Sequence, residues 1–400
     1  MSEVVESVRS SAGENIRRAK QGIWSQEWVI RSITAAGFVV IFIAMQLWLE
    51  QGFFIPGARV LNIHQNVPVL LLAGAAVVGL LGGAFDLSIA GNATLAAYLT
   101  VGLASHQGWP IFVVLLLVLM MGLVAGWVNA YIVTTLGVNV IIATLGMGSV
   151  LLGVSAVFGG GAVVSAAGHD PLPAWFLAAG AYTSKLPEVV QAGIVLGAVF
   201  VAYISLGKLT QPRWLRGSWA TWRAAAVIVV GAAVYFGLGI HAWLSSASIL
   251  VGFLLFVLLV VWVFMDRTTW GRSIKATGSN AIAARLAGIK TTRETYRAFA
   301  VSGLLSSLAG IVIAANQGSA SPNVAGGYLL PAFAAAYLST VIFSAGRFTV
   351  VGTALGGIFV LWVAQGLIEG GLAFTWTEVV NGGVLIVAVS LSTLLRRRLR

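Results

Sequence analysis

The stretch at residues 271–289, GRSIKATGSNAIAARLAGI, decides how the rest of the chain is arranged. It lies between two hydrophobic runs, and the wider segment 266–297 carries seven basic residues against two acidic ones. Charged side chains are costly inside a bilayer, whereas the flanking runs are apolar enough to enter one. We therefore expect this segment outside the membrane, between two membrane helices.

Local helix signals are clear within this stretch. Ser279 or Asn280 is suited to cap the first free N–H groups of a helix rich in alanine, the residue that favours helix most. Gly288 predicts a left-handed stop after that helix. Thr291 followed by Glu294 predicts a capping box that opens the next membrane helix.

The short helix also has a distinct apolar stripe. Ile282, Leu286 and Ile289 recur at i, i+4 and i+7, which places them on one face. Two interpretations follow from the residues alone. The segment is either a solvated helix that only links two membrane spans, or a docking surface for a soluble partner.

Composition points to a membrane protein independently of this stretch. Of 400 residues, 59% are hydrophobic and only 9% are charged, and 48 are glycine, which suits closely packed membrane helices. The absence of cysteine excludes disulfides and thiolate metal sites. The net charge of +11 does not indicate nucleic-acid binding, because the basic residues lie beside hydrophobic runs.

The predicted fold is an all-α polytopic bundle of about 10–12 transmembrane spans. Hydrophobic runs long enough to cross a bilayer occur at 30–49, 67–83, 88–104, 110–134, 138–157, 189–206, 223–240, 247–265, 297–315, 329–345, 350–369 and 376–395. The domain prediction is a polar tail at 1–28 without the features of a signal peptide, one transmembrane domain at 29–395, and a basic tail at 396–400.

The distribution of basic residues predicts the orientation. With twelve spans and a cytoplasmic N-terminus, all of the 23 lysines and arginines except Arg59 and Lys185 fall on the inner side. Cytoplasmic loops are enriched in these residues, so both termini and the 266–297 segment are expected in the cytoplasm.

Few strong polar groups lie within the spans. Asp86, in GGAFDLSIAG, is an acid near membrane depth and therefore a functional candidate, although it is equally suited to cap the helix that follows. Asn92, Asn129, Gln365 and Asn381 either join helices or line a hydrated path with Asp86. We treat these five residues as candidates for a translocation pathway.

The 271–289 stretch resembles the cytoplasmic motif of ribose/xylose-type ABC sugar permeases, a branched group of binding-protein-dependent permeases. The resemblance continues at GGAFDLSIAG, residues 82–91, and at SAGRFTVVGT, residues 344–353. In that family the motif receives the motion of a separate ATPase. The resemblance implies a set of ATPase-coupling residues: Gly271, Arg272, Gly278, Asn280, Ala283, Ala284, Leu286 and Gly288.

The same resemblance implies the rest of the functional prediction. The chain is expected to be a non-enzymatic, multi-pass subunit in the bacterial cytoplasmic membrane, acting as a homodimer with an ABC ATPase and an extracytoplasmic sugar-binding protein. Its substrate is expected to be a monosaccharide, for example a pentose such as xylose or ribose. No cofactor or metal is expected, and ATP would bind the partner, since the chain lacks GxxxxGK[ST].

The alternative is an ion-coupled secondary sugar transporter. That class tends to place charged pairs at the membrane midplane, and Asp86 has no basic residue within a neighbouring predicted span.

Overall fold

The computed structural model describes residues 37–50, 52–167, 169–195, 237, 239–342 and 347–398. The predicted tail at 1–28 and most of the predicted spans at 189–206 and 223–240 lie outside the described residues. The described chain is a bundle of helices, which confirms the predicted helical class. A two-residue antiparallel pair, β1 (Val164–Ser165) with β2 (Ser319–Ala320), joins two of its connections.

Fifteen helices of the described chain are labelled here, and residues 188–195 are helical as well. The first eight are α1 (Gly37–Trp48), α2 (Pro56–Gln65), α3 (Val67–Leu81), α4 (Ile89–Val101), α5 (Ile111–Thr134), α6 (Val140–Phe158), α7 (Ala174–Gly180) and α8 (Ile240–Ser246). The others are α9 (Ile249–Trp262), α10 (Thr269–Ser279), α11 (Ala281–Leu286), α12 (Thr291–Gln317), α13 (Leu329–Ile342), α14 (Val350–Glu369) and α15 (Thr377–Arg398). One π-helical turn extends α4 and another extends α9, at Gly102–His106 and Val263–Arg267.

Several predicted spans agree closely with the structure. Helices α5, α6 and α14 begin and end within two residues of the predicted runs at 110–134, 138–157 and 350–369. By length and composition, five helices within the described residues are able to cross a membrane, and α2 with α3, bent by 60°, makes a possible sixth. The predicted total of 10–12 spans remains a prediction.

Helix α12 lies at the centre of the bundle, where it packs against α3, α4 and α5. Glycine allows the closest of these contacts. A Cβ atom at Gly122 of α5 would collide with the carbonyl oxygen of Gly303 of α12. In the same way, a Cβ atom at Gly303 would collide with the carbonyl oxygen of Gly122. The two backbones therefore touch directly, as the glycine-rich composition predicts for membrane helices.

Helices α13, α14 and α15 form a second group that joins the centre through α3, which packs against both α13 and α14. The turn at residues 82–88, between α3 and α4, lies against α10 and α12. This turn connects the segment that we predicted to lie outside the membrane with the polar residues inside the bundle.

Candidate functional site

The 271–289 stretch forms two short helices, α10 and α11, separated by Asn280. The backbone of Asn280 is extended, and Asn280 Oδ1 accepts a hydrogen bond of 3.0 Å from the Ala283 N–H. Of the two predicted caps, Asn280 therefore caps α11, while the Ser279 hydroxyl donates to the Ala276 carbonyl. Gly288 adopts a left-handed φ of 84°, which confirms the predicted stop.

The apolar stripe of α11 is exposed in this chain. Ile282 is 74% exposed and Leu286 is 86% exposed, while Ile289 is half-buried. Ala284 is only 5% exposed, so it faces the chain's own bundle. All of α11 except Ala284 is exposed, and Ile282 and Leu286 are its large aliphatic side chains, with the small side chain of Ala283 beside Leu286. We call Ile282, Ala283 and Leu286 the α11 face.

The predicted coupling residues therefore divide into two groups. Those that are exposed are Arg272, Asn280, Ala283, Leu286 and Gly288. Gly271 and Ala284 are buried, and Gly278 is half-buried. A Cβ at Gly278 would collide with the backbone of Leu81 and Gly83, so α10 touches the turn after α3 without any side chain between them.

The capping box predicted from Thr291 and Glu294 is wrong. Helix α12 has Lys290 at its N-cap, with no side-chain hydrogen bond to the first turn. Glu294 instead accepts a hydrogen bond of 2.7 Å from the Arg297 guanidinium. This pairing prevails because Arg297 lies one turn further along the helix, where an i, i+3 ion pair forms readily.

Asp86 lies in a fully partnered, buried position at the start of α4. It is 2% exposed, and its Oδ1 accepts hydrogen bonds from the Ser88 N–H (3.1 Å) and hydroxyl (2.6 Å). Its Oδ2 accepts a hydrogen bond of 2.8 Å from the Ser302 hydroxyl of α12. The predicted cap is wrong, because α4 begins at Ile89 with Ser88 at its N-cap and no side-chain cap hydrogen bond. Asp86 instead holds Ser88 within the α3–α4 turn and joins that turn to α12.

Asn129 and Asn92 lie beside Asp86. Asn129 Nδ2 donates to the Ser88 hydroxyl at 2.8 Å, which ties α5 to the same turn. Asn92 Nδ2 donates to the Gly303 carbonyl at 3.0 Å and to the Ser306 hydroxyl at 2.7 Å, which ties α4 to α12. The structure therefore brings three of the five predicted pathway residues together, in contacts that join helices.

The other two predicted pathway residues are on α14 and α15, and neither is among the hydrogen-bond partners of Asp86. Asn381 is buried on α15. Gln365, on α14, accepts a hydrogen bond of 3.4 Å from Asn62 and donates one of 3.2 Å to Glu369. Sequence reasoning missed Glu369 and assigned its partner Arg59 only to an outer loop, because 310 residues separate the two.

We expect Asp86→Asn to retain its folded state and most of its transport. Asn keeps an oxygen acceptor for the Ser88 N–H, and the Ser302 hydroxyl can rotate to accept the new amide N–H. Asp86→Ala removes every acceptor and should lower stability by about 1–3 kcal/mol. Thermal unfolding of the purified variants and uptake in vesicles test this, and a folded Asp86→Asn that has lost uptake would contradict a purely structural role of Asp86.

Comparison with known proteins identifies the class of this chain. The family described as "Branched-chain amino acid transport system / permease component" matches residues 60–389. The chain therefore belongs to this permease family. The match includes the turn at 82–88, both helices of the 271–289 stretch and all of α12.

Several proteins similar to this chain have names that state what they transport. The chain is 26% identical to the xylose transport system permease protein of Escherichia coli (strain K12), over 92% of this chain and 94% of that protein. It is 25% identical to the autoinducer 2 import system permease protein of Photorhabdus luminescens, over 90% and 88%. A shorter match, 36% identical over 33% of this chain and 41% of that protein, is to the ribose import permease protein of Bacillus subtilis (strain 168). No solved structure matches.

Proposed function

We propose that this chain is the membrane permease subunit of an ABC importer that carries a monosaccharide into the cell. The α11 face is the observation that carries the proposal, since two large aliphatic side chains are exposed on a helix that touches the bundle through Ala284. Burial of an exposed aliphatic side chain contributes about 1.5–3 kcal/mol, so a partner would gain stability by covering this face. Helix α11 is the docking site for an ABC ATPase. ATP binds to that partner subunit and is hydrolysed there.

The names of the relatives support the substrate class. Permeases for xylose, ribose, galactose and autoinducer 2 all match, and the xylose and autoinducer 2 proteins match over most of their length. We assign a monosaccharide, with pentoses such as xylose or ribose as the first candidates. An extracytoplasmic binding protein would deliver the sugar to a permease homodimer in the bacterial cytoplasmic membrane.

The contacts of the fold are compatible with the proposed orientation. The turns predicted to be cytoplasmic meet one another, since Gly83 lies against Gly278. Segments predicted to be external also meet, as in the pairing of Val164 with Ala320. Such grouping is expected of a helical bundle whose spans alternate in direction. The proposed permease domain is 29–395, with cytoplasmic tails at 1–28 and 396–400.

The proposed route of coupling runs through backbone contacts. Movement of α11 by the ATPase passes through Asn280 to α10, because Asn280 both ends α10 and caps α11. Gly278 then transmits it to the α3–α4 turn at Gly83. Asp86, three residues further on, connects that turn to Ser302 of α12 at the centre of the bundle.

Uptake in right-side-out vesicles, with ATP supplied or withheld inside them, tests the proposed function. We expect sugar uptake in the presence of the ATPase and binding protein to require ATP and to persist when an uncoupler collapses the proton gradient. An ion-coupled carrier would behave in the opposite way. Uptake that continues without ATP and stops with the uncoupler would overturn the ABC assignment.

A further inference from the structure

A buried arginine lies where α2 faces α14, away from the coupling route. Arg59 is 1% exposed and is the largest of the fully buried side chains in the part of the chain that the structure describes. Its Nη2 donates to both carboxylate oxygens of Glu369, and its guanidinium carbon lies 4.4 Å from the centre of the Phe53 ring. A buried guanidinium is costly to maintain unless its remaining donors are also bonded.

Those remaining donors are not bonded within the described protein. Arg59 Nε and Nη1 are buried without a hydrogen-bond partner, and so are Trp362 Nε1 and Asn62 Oδ1. Folded proteins leave few such atoms, since each costs about 1–3 kcal/mol when buried and unpaired. Three N–H donors and one acceptor without partners in one region point to a ligand that would satisfy them.

The unpartnered atoms belong to one cluster. On α14, Trp362, Gln365 and Glu369 are spaced i, i+3 and i+7, which places them on one face. Asn62, on α2, donates to Gln365 at 3.4 Å, and Gln365 donates to Glu369. The Trp362 ring lies 6.3 Å from Phe53, the same ring that packs against the guanidinium.

The chemistry of the cluster selects a neutral ligand. Arg59 and Glu369 neutralise each other, so the cluster has no net charge to attract an ion. Hydroxyl groups both donate and accept hydrogen bonds, and they match donors on Arg59 and Trp362 together with an acceptor on Asn62. Aromatic rings pack well against the C–H faces of a sugar, and Trp243 lies 5.7 Å from Trp362. Glu369 connects the cluster to the surface, since its side chain is 31% exposed.

We propose that Arg59, Asn62, Trp362 and Glu369 form a binding site for a neutral polyhydroxylated solute, such as an unphosphorylated monosaccharide. The biological role of this site rests on the proposed function. The site adds to that function a place on the permease itself where the substrate binds. The polar atoms of the cluster select for hydroxyl groups, and the ion pair holds α2 and α14 in register around them.

Trp362→Phe is the most informative variant. It removes one N–H donor that has no partner in the described protein, and it keeps an aromatic ring in the cluster. A purely structural Trp362 predicts that this change lowers the melting temperature through lost packing but leaves the affinity for sugar unchanged. We expect about five- to tenfold weaker sugar binding, the effect of one lost hydrogen bond. The melting temperature without sugar measures the packing that is lost with the larger ring, separately from the hydrogen bond to sugar.

The measurement is a titration of the thermal unfolding midpoint of the purified full-length chain in detergent. The probes are D-xylose, D-ribose and D-galactose, with ribose 5-phosphate as a charged comparison. We expect a saturable rise with at least one neutral sugar and none with the phosphate. Trp109→Phe is the matched control, because Trp109 is 43% exposed, and its titration should equal that of the unaltered chain.

Two further results would overturn the site. No rise with any neutral sugar would mean that water alone bonds these atoms, and a Trp362→Phe titration equal to that of the unaltered chain would exclude the indole N–H. Arg59→Lys keeps the charge opposite Glu369 but removes the planar fork, and we expect a larger loss of binding from a folded variant. Normal binding by folded Arg59→Lys would also contradict the proposal.

The site and the proposed function fail in different ways. If vesicles take up sugar with ATP and Trp362→Phe takes it up equally well at low sugar concentration, the site is wrong and the function stands. If the purified chain binds sugar through Trp362 while uptake is independent of ATP, the site stands and the ABC assignment is wrong.

Discussion

Leu286→Asp is expected to leave the permease folded while abolishing its association with the ATPase. Leu286 is 86% exposed in this chain, so its replacement removes no contact within the bundle. In the proposed complex, the change removes about 1.5–3 kcal/mol of apolar burial and adds the cost of burying an unpaired carboxylate. Together these effects should weaken the complex by at least about a hundredfold.

The measurement is co-purification of the ATPase in detergent, together with sugar-stimulated ATP hydrolysis in proteoliposomes. Ala283→Asp should behave in the same way, because Ala283 is exposed on the same face. Arg285→Ala is the matched control and should change little, since a single exposed charge contributes about 0–1 kcal/mol. Normal hydrolysis and co-purification by Leu286→Asp would exclude the α11 face as the docking site.

Ala284 gives a contrasting result on the same helix. The sequence motif alone includes Ala284 among the coupling residues, but its side chain is 5% exposed and packs within this chain. Ala284→Trp should therefore overfill the chain's own packing and lower its stability by about 1–3 kcal/mol. A loss of ATPase binding by this variant would report misfolding, which is why Leu286→Asp is the better test.

Gly278→Val is expected to have the second large effect, on both stability and transport. A side chain at Gly278 would collide with the backbone of Leu81 and Gly83. Backbone atoms cannot turn aside as a flexible side chain can, and Gly83 already needs its left-handed φ of 77°. We expect a loss at or above the upper end of the range for overpacked sites, about 3 kcal/mol, with α10 displaced from the α3–α4 turn.

Thermal unfolding in detergent and ATP-driven uptake measure this effect. Gly146→Ala is the matched control, because a Cβ at Gly146 of α6 meets no atom within 4 Å. That change should be neutral or slightly stabilising, since alanine favours helix over glycine by about 1 kcal/mol. Gly278→Val with normal melting temperature and normal uptake would show that α10 does not act through this turn.

Local features of the candidate site could be predicted from the sequence. The Asn280 cap and the Gly288 stop depend on neighbours within three or four residues, so their signals are contained in the stretch itself. The capping box at Thr291 failed even at this range, because Glu294 found a partner in Arg297. Local signals are reliable only where no competing partner lies within reach.

Hydrophobic run length and turn residues act along the chain, so the helical class, the limits of helices such as α5 and α14, and the cap and stop of α11 are predictable from the sequence alone. Which helix faces meet depends on contacts between residues that are far apart in the sequence. A helix that is apolar on all sides, such as α5, carries no mark of the face that packs against protein. The bonds of Asp86 to Ser302 and of Arg59 to Glu369 join residues 216 and 310 positions apart, and no local pattern specifies such distant pairs.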